Sequence, residues 1–443
     1  MIPILPEGAT LHFHGISGPL RLIRLLGSGG QGQVYEAEYA LEPVALKWYF
    51  PGCIQKDIGL DQRLRECIRA TSPNGSFLWP IALLSPLDND PTGSVLPPGT
   101  YGYMMSLRPA DYVGASEHVG GHLRISLRNV LRACFFLAEA FHELHLKGLC
   151  YKDISLGNLF LQPSSGRILI CDNDNVDIDG RDLGSAVGTP GFMAPEVLLG
   201  RAKPGASSDL FSLAVLLFRL LTRHDPLKGA LELQIRCLDE PARRRLYGED
   251  PVFIFDALDE RNRPDPIEHA AALLTWPIYP PHLQQLFQQT LGPGMKNPGR
   301  RAYTGQWKTA LARTLDWRRL CPHCGQEVFT ALDQASLCWA CAGPLEAAPY
   351  FLTARGPVAA TAENELHAHH FDPLLSERMD TPVAVVEAHP VHAAILGLKN
   401  LSSDTWTAEL ETGESSAVDP GQRCNLSLIT RLRTSQGSIE LVR

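Results

Sequence analysis

The chain has no long hydrophobic run: no segment approaches the roughly 18 consecutive apolar residues that a membrane-spanning helix requires. Its amino terminus, MIPILPEGATLHFHG, lacks a basic stretch followed by an apolar one, so no secretory leader is read there. Both absences predict a cytoplasmic protein without a membrane partner. An excess of positive charge is missing as well. With 40 Lys and Arg against 48 Asp and Glu the net charge is −8, which argues against nucleic acid as a partner, because a phosphate backbone demands a basic face. No internal repeat and no long low-complexity tract occurs. Eleven cysteines offer only two CxxC pairs, and the other seven are scattered, a usage suited to a reducing compartment and a metal site better than to a disulfide framework.

A hydrophobic fraction of 44% and a charged fraction of 20% are those of a globular chain, and 443 residues predict about two to four domains. The organising stretch, residues 148–174, reads GLCYKDISLGNLFLQPSSGRILICDND. The apolar runs Leu159–Leu161 and Ile168–Ile170 flank a turn at Pro163-Ser164-Ser165-Gly166 and predict a hairpin. Asp153, Asn158 and Asp172 lie on its two flanks. One carboxylate to orient an attacking hydroxyl, with an amide and a second carboxylate to hold Mg²⁺, is what phosphoryl transfer needs. The arrangement resembles the catalytic and metal loops of eukaryotic-type protein kinases. It departs from them in reading Tyr151-Lys152-Asp153 for His-Arg-Asp, Ser155 where a Lys is usual, and Asp172-Asn173-Asp174 for Asp-Phe-Gly.

Upstream, Gly27, Gly29, Gly32 and Val34 have the spacing of a glycine-rich hairpin that closes over phosphates, although alone they fit an ordinary turn. The next strand carries Val44-Ala45-Leu46-Lys47, which matches the kinase Val-Ala-Ile-Lys strand. The resemblance implies that Lys47 holds the α and β phosphates of ATP, oriented by Glu66 in a helix over Leu60 to Ala70, with a solvent-facing Glu66 as the alternative. Ser106 and Leu107 fall at the expected adenine hinge. Downstream, Val187-Gly-Thr-Pro-Gly-Phe-Met-Ala-Pro-Glu196 resembles the end of a Ser/Thr kinase activation segment, with Thr189 placed to contact Asp153 and Ser185 open as a phosphosite or a plain loop serine. The resemblance further implies that Asp209 bonds the catalytic-loop backbone and that Arg301 pairs with Glu196. Arg243-Arg244-Arg245 reads most simply as a solvated helix face, with a docking surface as the alternative.

A second chemistry lies beyond residue 318. Cys321-Pro-His-Cys324 and Cys338-Trp-Ala-Cys341 give four thiolates from two knuckles, a closed tetrahedral Zn²⁺ site of structural type. Short alternating segments follow, Val383 to Val386, Ala393 to Leu398, Thr405 to Leu410, Cys424 to Ile429 and Ser438 to Val442, and predict a β-sandwich. Residues 397–406 and 418–421 resemble the later half of a forkhead-associated domain. His367, His369, His370, His389 and His392 read as a surface or strand-packed histidine cluster in preference to a metal site.

The expected architecture is α+β: a two-lobed kinase fold (amino-terminal lobe 1–108, carboxy-terminal lobe 109–318), a zinc ribbon (319–346) and a forkhead-associated-like sandwich (347–443). The combination resembles the zinc-ribbon kinase of the tellurium-resistance-linked triad of phosphatase, von Willebrand factor A protein and kinase. That resemblance implies a bacterial Ser/Thr kinase using ATP and Mg²⁺, with a protein substrate and with a PP2C-type phosphatase and a von Willebrand factor A protein as partners. A pseudokinase scaffold that binds nucleotide or partners without transferring phosphate is the alternative reading.

Overall fold

Glu42–Tyr49 is buried at every position from Val44 to Tyr49, which requires cover on both of its faces. In the structure of the protein, a computed structural model that describes residues 5–87, 96, 99–181, 188–392 and 394–443, that cover is present. Ser185, Val187 and Ala393, singled out above, lie outside the described residues. The chain forms two compact units: Met1–Arg124, Glu139–Arg263 and Gln289–Arg301 make the first, and Ile125–Ala138, Pro264–Gln288 and Ala302–Arg443 the second.

In the first unit, Thr10–His14, Pro19–Ser28, Gly32–Tyr39, Glu42–Tyr49, Gly102–Ser106 and Ala82–Pro86 close, in that order, into a barrel of antiparallel pairs. Alternation along Glu42–Tyr49 sends Leu46 and Trp48 into the barrel core with Leu20, Leu22 and Tyr35. Ala45 and Tyr49 go to the other face, where Leu60, Leu64, Tyr103 and Leu169 meet them, and the same alternation puts Lys47 on that side. The helix Leu60–Ala70 buries Leu60, Arg63, Leu64 and Cys67, the i, i+3, i+4, i+7 stripe of an amphipathic helix. Leu159–Leu161 pairs with Ile168–Ile170 in the register Leu161↔Ile168, Leu159↔Ile170. Leu78 and Ile170 tie this hairpin to the barrel end of the unit, through Leu78 N to Ile170 O (2.8 Å) and Ile170 N to Ser76 O (2.7 Å). The apolar helix Ala206–Thr222 is buried over most of its length.

The second unit combines helical segments with everything from residue 302 on, and polar contacts join the two. Arg128 and Arg132 both reach Glu365 (2.8 and 2.9 Å), and Thr309 Oγ1 donates to Glu377 (2.9 Å). Arg319–Leu320 with Glu327–Val328, and Ser336–Leu337 with Pro344–Leu345, form two small hairpins, each carrying one CxxC at its turn. Beyond them lie a six-stranded and a four-stranded antiparallel sheet. Both contribute to one buried cluster, with Phe351, Trp406, Leu432 and Ile439 from the first and Leu366, Ala384, Val386 and Leu398 from the second.

The segment Cys424 to Ile429 is not one strand. It divides into Arg423–Asn425, in the four-stranded sheet, and Ile429–Thr434, in the six-stranded one. Asn425 breaks it: its side chain accepts from Ser427 N (2.9 Å), an Asx turn that competes with the ladder. Tyr350–Thr353, Gly356–Ala359, Glu365–His367 and Ser415–Val418 are further strands beyond those read from the sequence.

Candidate active site

The catalytic loop is held from behind by Asp209, whose two carboxylate oxygens accept from Tyr151 N (2.7 Å) and Lys152 N (3.0 Å). Lys152 has a φ of 70°, a left-handed conformation that costs energy for a residue with a side chain and persists because these two bonds fix it. Tyr151, fully buried, donates its hydroxyl to Cys171 O, so the residue replacing the family histidine ties the catalytic loop to the metal loop. Asp153 then projects with its Oδ1 accepting from Thr189 Oγ1 (2.6 Å) and its Oδ2 from Asn158 Nδ2 (3.3 Å). Asn158 Nδ2 also donates to Asp153 O (3.0 Å), which leaves the Asn158 amide oxygen for another partner. Burial pushes the Asp153 carboxyl above its ordinary value; the Thr189 and Asn158 hydrogen bonds oppose this, and the nearby Asp172 and Asp174 charges add to it.

The metal loop starts with Asp172 in a left-handed conformation (φ 53°), which turns its carboxylate toward the barrel. Lys47 Nζ lies 3.2 Å from Asp172 Oδ1, 2.7 Å from Asp174 Oδ2 and 3.1 Å from Gln31 Oε1. Burial alone would lower the ammonium's pKa, but the Asp174 and Asp172 carboxylates hold it above its ordinary value. Asn173, standing for the family phenylalanine, is fully buried and donates to Leu78 O (2.8 Å) and Ile170 O (3.1 Å). The loop is therefore pinned by polar bonds to the backbone where the family uses an apolar side chain.

The expected Lys47–Glu66 ion pair is absent. Glu66 pairs with Arg181 and accepts from Gln62 Nε2 (3.1 Å), and the hydrogen bond from Arg181 holds its pKa below the ordinary carboxylate value. Two reasons are visible. Asp174 is buried and must have a cation, and the inward face of the helix carries Arg63, which is spent on Asp57 (2.6 Å) and on Asp174 O (3.3 Å). Asp177, fully buried, takes both Lys152 Nζ (2.8 Å) and Arg181 Nε (2.8 Å). Sequence reasoning missed Gln31, Arg63, Asp174, Asp177 and Arg181 as members of this network. The third residue of Asp-Asn-Asp was the one local signal, since a carboxylate where glycine is usual must find a partner.

The glycine hairpin precedes this network. Gly27 pairs with Val34, and Gly29 N donates to Gly32 O (2.9 Å). At Gly32 a Cβ would lie 2.2 Å from Trp48 O, so only glycine permits the approach of the two strands, whereas a Cβ at Gly27 or Gly29 would meet nothing. Ser106 closes its strand, and Ser106 and Leu107 line a 640 Å³ cavity with Phe77, Trp79 and Tyr112; none of Lys47, Asp153, Asn158 and Asp172 lines it. Arg301 grips Glu196 through two bonds of 2.8 Å and donates to Gly294 O (3.0 Å), anchoring the end of the activation segment.

In the second unit, Cys321, Cys324, Cys338 and Cys341 bring their sulfurs within 4.8 Å of one another, the one group of potential metal ligands of this kind among the described residues. The Cys321–Cys341 and Cys324–Cys338 separations are 3.8 and 3.7 Å. A tetrahedron with Zn–S bonds of about 2.3 Å has edges of about 3.8 Å, so the donor set fits that ion. His323 bonds Pro344 O (3.0 Å) and stands outside the group. His367, His369 and His370 are buried against one another.

Residues 111–259 match the family described as protein kinase domain, and the chain thus carries a protein kinase domain. It is similar to the DNA damage-responsive serine/threonine-protein kinase RqkA of Deinococcus radiodurans, 29% identical over 228 residues, which cover 48% of this chain and 31% of that protein. It is also similar to serine/threonine-protein kinase 40 of Mus musculus, 28% identical over 131 residues, 29% of this chain and 30% of the other. Mitogen-activated protein kinase kinase kinase 7 of Drosophila melanogaster is 26% identical over 217 residues, covering 46% of this chain and 28% of its own length. The chain spans about a third of the length of these curated relatives. No helix among the described residues is long and apolar enough to cross a membrane.

Proposed function

We propose that this protein is a serine/threonine protein kinase that transfers the γ-phosphate of ATP to a protein hydroxyl. One observation carries the reading: Asp153 is fixed between Thr189 (2.6 Å) and Asn158, on a loop tied by Tyr151 to the segment that presents Asp172 to Lys47. Asp153 orients the acceptor hydroxyl and takes its proton, a role its raised pKa suits. Lys47 binds the α and β phosphates under the Gly27–Gly32 hairpin, and Ser106 and Leu107 bound the adenine side. Asn158 and Asp172 would hold Mg²⁺, which supplies neutralisation of the phosphate charge when bound. Thr189 against Asp153 supports Ser/Thr over Tyr as acceptor.

The four cysteines would hold a structural Zn²⁺ whose binding supplies much of the folding energy of the ribbon. The paired carboxy-terminal sheets form a forkhead-associated-like interaction module, and the partners are a PP2C-type phosphatase and a von Willebrand factor A protein, in a cytoplasmic bacterial signalling system. Purified protein incubated with Mg²⁺ and γ-labelled ATP should place acid-stable label on Ser or Thr of itself or of an added protein. Nucleotide binding with no label transferred, at any Mg²⁺ concentration, would make the chain a scaffold instead.

A further inference from the structure

In protein kinases a carboxylate keeps the ammonium of the phosphate-binding lysine in place, and in this chain the carboxylate comes from an unexpected place. Asp174 is 1% exposed; its Oδ2 accepts from Lys47 Nζ (2.7 Å) and from Tyr49 OH (2.5 Å), while Oδ1 is buried without a hydrogen bond. A carboxylate sealed from water in this way is sustained by its cation. Glu66, by contrast, is partly exposed and engaged by Arg181, and Arg63 occupies the inward face of the same helix. Asp172, the other carboxylate within reach of Lys47, is 42% exposed on its side chain and sits 3.2 Å from the ammonium.

We propose that Asp174 is the positioning residue of Lys47, so that the third residue of the metal loop supplies the anchoring carboxylate and Glu66 is released to hold the activation segment through Arg181. The two oxygens that reach Lys47 from the loop then have separate duties. Asp174, itself held by the Tyr49 hydroxyl, pins the ammonium from the buried side at 2.7 Å, and this limits its hold on Asp172 to the longer 3.2 Å bond on the open side. Removing the charge at position 174 leaves Asp172 as the remaining strong attractor, and Lys47 is withdrawn from the phosphates. The proposal rests on the kinase reading above for its purpose, while its geometry concerns Lys47 alone.

A double-mutant cycle over Lys47→Met and Asp174→Asn, read as the affinity for a fluorescent ADP analogue in excess EDTA, tests it without phosphoryl transfer or metal. Asp174→Asn should weaken binding by at least about fivefold in the Lys47 background and by less than about twofold in the Lys47→Met background. The charge-retaining Asp174→Glu should recover most of the loss. Because Lys47→Met leaves a buried carboxylate without its cation, the double variant should melt above that single variant, which keeps the test open should Asp174→Asn bind too weakly to measure.

Equal loss in both backgrounds would overturn the proposal, as would a double variant that melts below Lys47→Met. A cycle in which Glu66→Gln couples to Lys47→Met while Asp174→Asn does not would also overturn it, as would wild-type protein that binds no nucleotide. Coupling without phosphate transfer by wild type would leave the positioning role standing and remove the kinase reading; transfer without coupling would do the reverse.

Discussion

The cleft of the first unit and the cysteine cluster of the second solve opposite problems of charge. In the cleft, Asp172, Asp174 and Asp177 meet cations that the chain itself provides: Lys47 for the first two, Lys152 and Arg181 for the third. In the ribbon, four sulfurs within 4.8 Å of one another have a spacing that suits one shared external cation. The carboxylates of the cleft are therefore balanced by the fold itself. The ribbon has a core of Cys321, Val328, Cys338 and Leu345, and an ion held by its four sulfurs would supply much of its structure. A site that carries its own counter-charges tolerates loss of an added metal in its fold but not in its chemistry. A site that borrows its charge loses the fold first.

The largest expected effect breaks the cleft's chemistry and spares its structure. Asp153→Asn or Asp172→Asn should lower phosphoryl transfer by about a thousandfold or more, with the thermal transition little changed, as measured by steady-state kinetics beside calorimetry. The ribbon should answer in the reverse sense. Purified protein should contain one zinc per chain by elemental analysis, and Cys321→Ser should lose it and destabilise the second unit by several kcal/mol. Zinc-free protein with an unchanged melting curve would erase the contrast.

The second unit should also respond to acid. Burial, with His370 adding, depresses His367 to about 3, and burial with His370 and His367 depresses His369 to about 2. Glu365 and Asp316 lie on the acidic side of this cluster, and Arg128, Arg132, Arg355 and Lys308 on the basic side. Between these values and the unfolded value near 6.5, the unfolded chain binds more protons, so stability is intact above about pH 6.5 and falls as pH drops below it. The slope is at most about 1.4 kcal/mol per pH unit for each histidine. Unfolding curves from pH 7 to 5 would measure it, and a flat profile would contradict the depression of His367 and His369.

The smallest effect concerns Ser185. In kinases switched by a loop phosphate, an arginine before the catalytic aspartate grips that phosphate; here the position is Lys152, which Asp177 already occupies at 2.8 Å. Ser185→Ala should keep activity within about tenfold of wild type, equivalent to about 1.4 kcal/mol. A hundredfold loss restored by an acidic residue would show that Asp177 yields its place to phosphate.

Where the ligands lie close in sequence, the site was legible. The hairpin around Gly166, the helix Leu60–Ala70 and the four cysteines follow from turn chemistry, a helical stripe and knuckle spacing. The partner of Lys47 was not legible, because Glu66 and Asp174 compete for it from 19 and 127 positions away and burial decides the outcome. Sequence position gives Glu66 and says nothing of Arg63 filling the inward face of its helix. The strands Tyr350–Thr353 and Gly356–Ala359 escaped notice for a different reason. Each is four residues long, too short for alternation to stand out.

The proposed kinase activity requires Asp153, Asn158, Asp172 and Lys47 to form a working phosphoryl-transfer site. Incorporation of γ-phosphate from ATP in the presence of Mg²⁺, measured side by side for wild type and Asp172→Asn, tests it most directly. Acid-stable phosphoserine or phosphothreonine from wild type, abolished by Asp172→Asn in protein that still melts normally, is the predicted result; equal incorporation by both, or none by wild type that binds nucleotide, would contradict it.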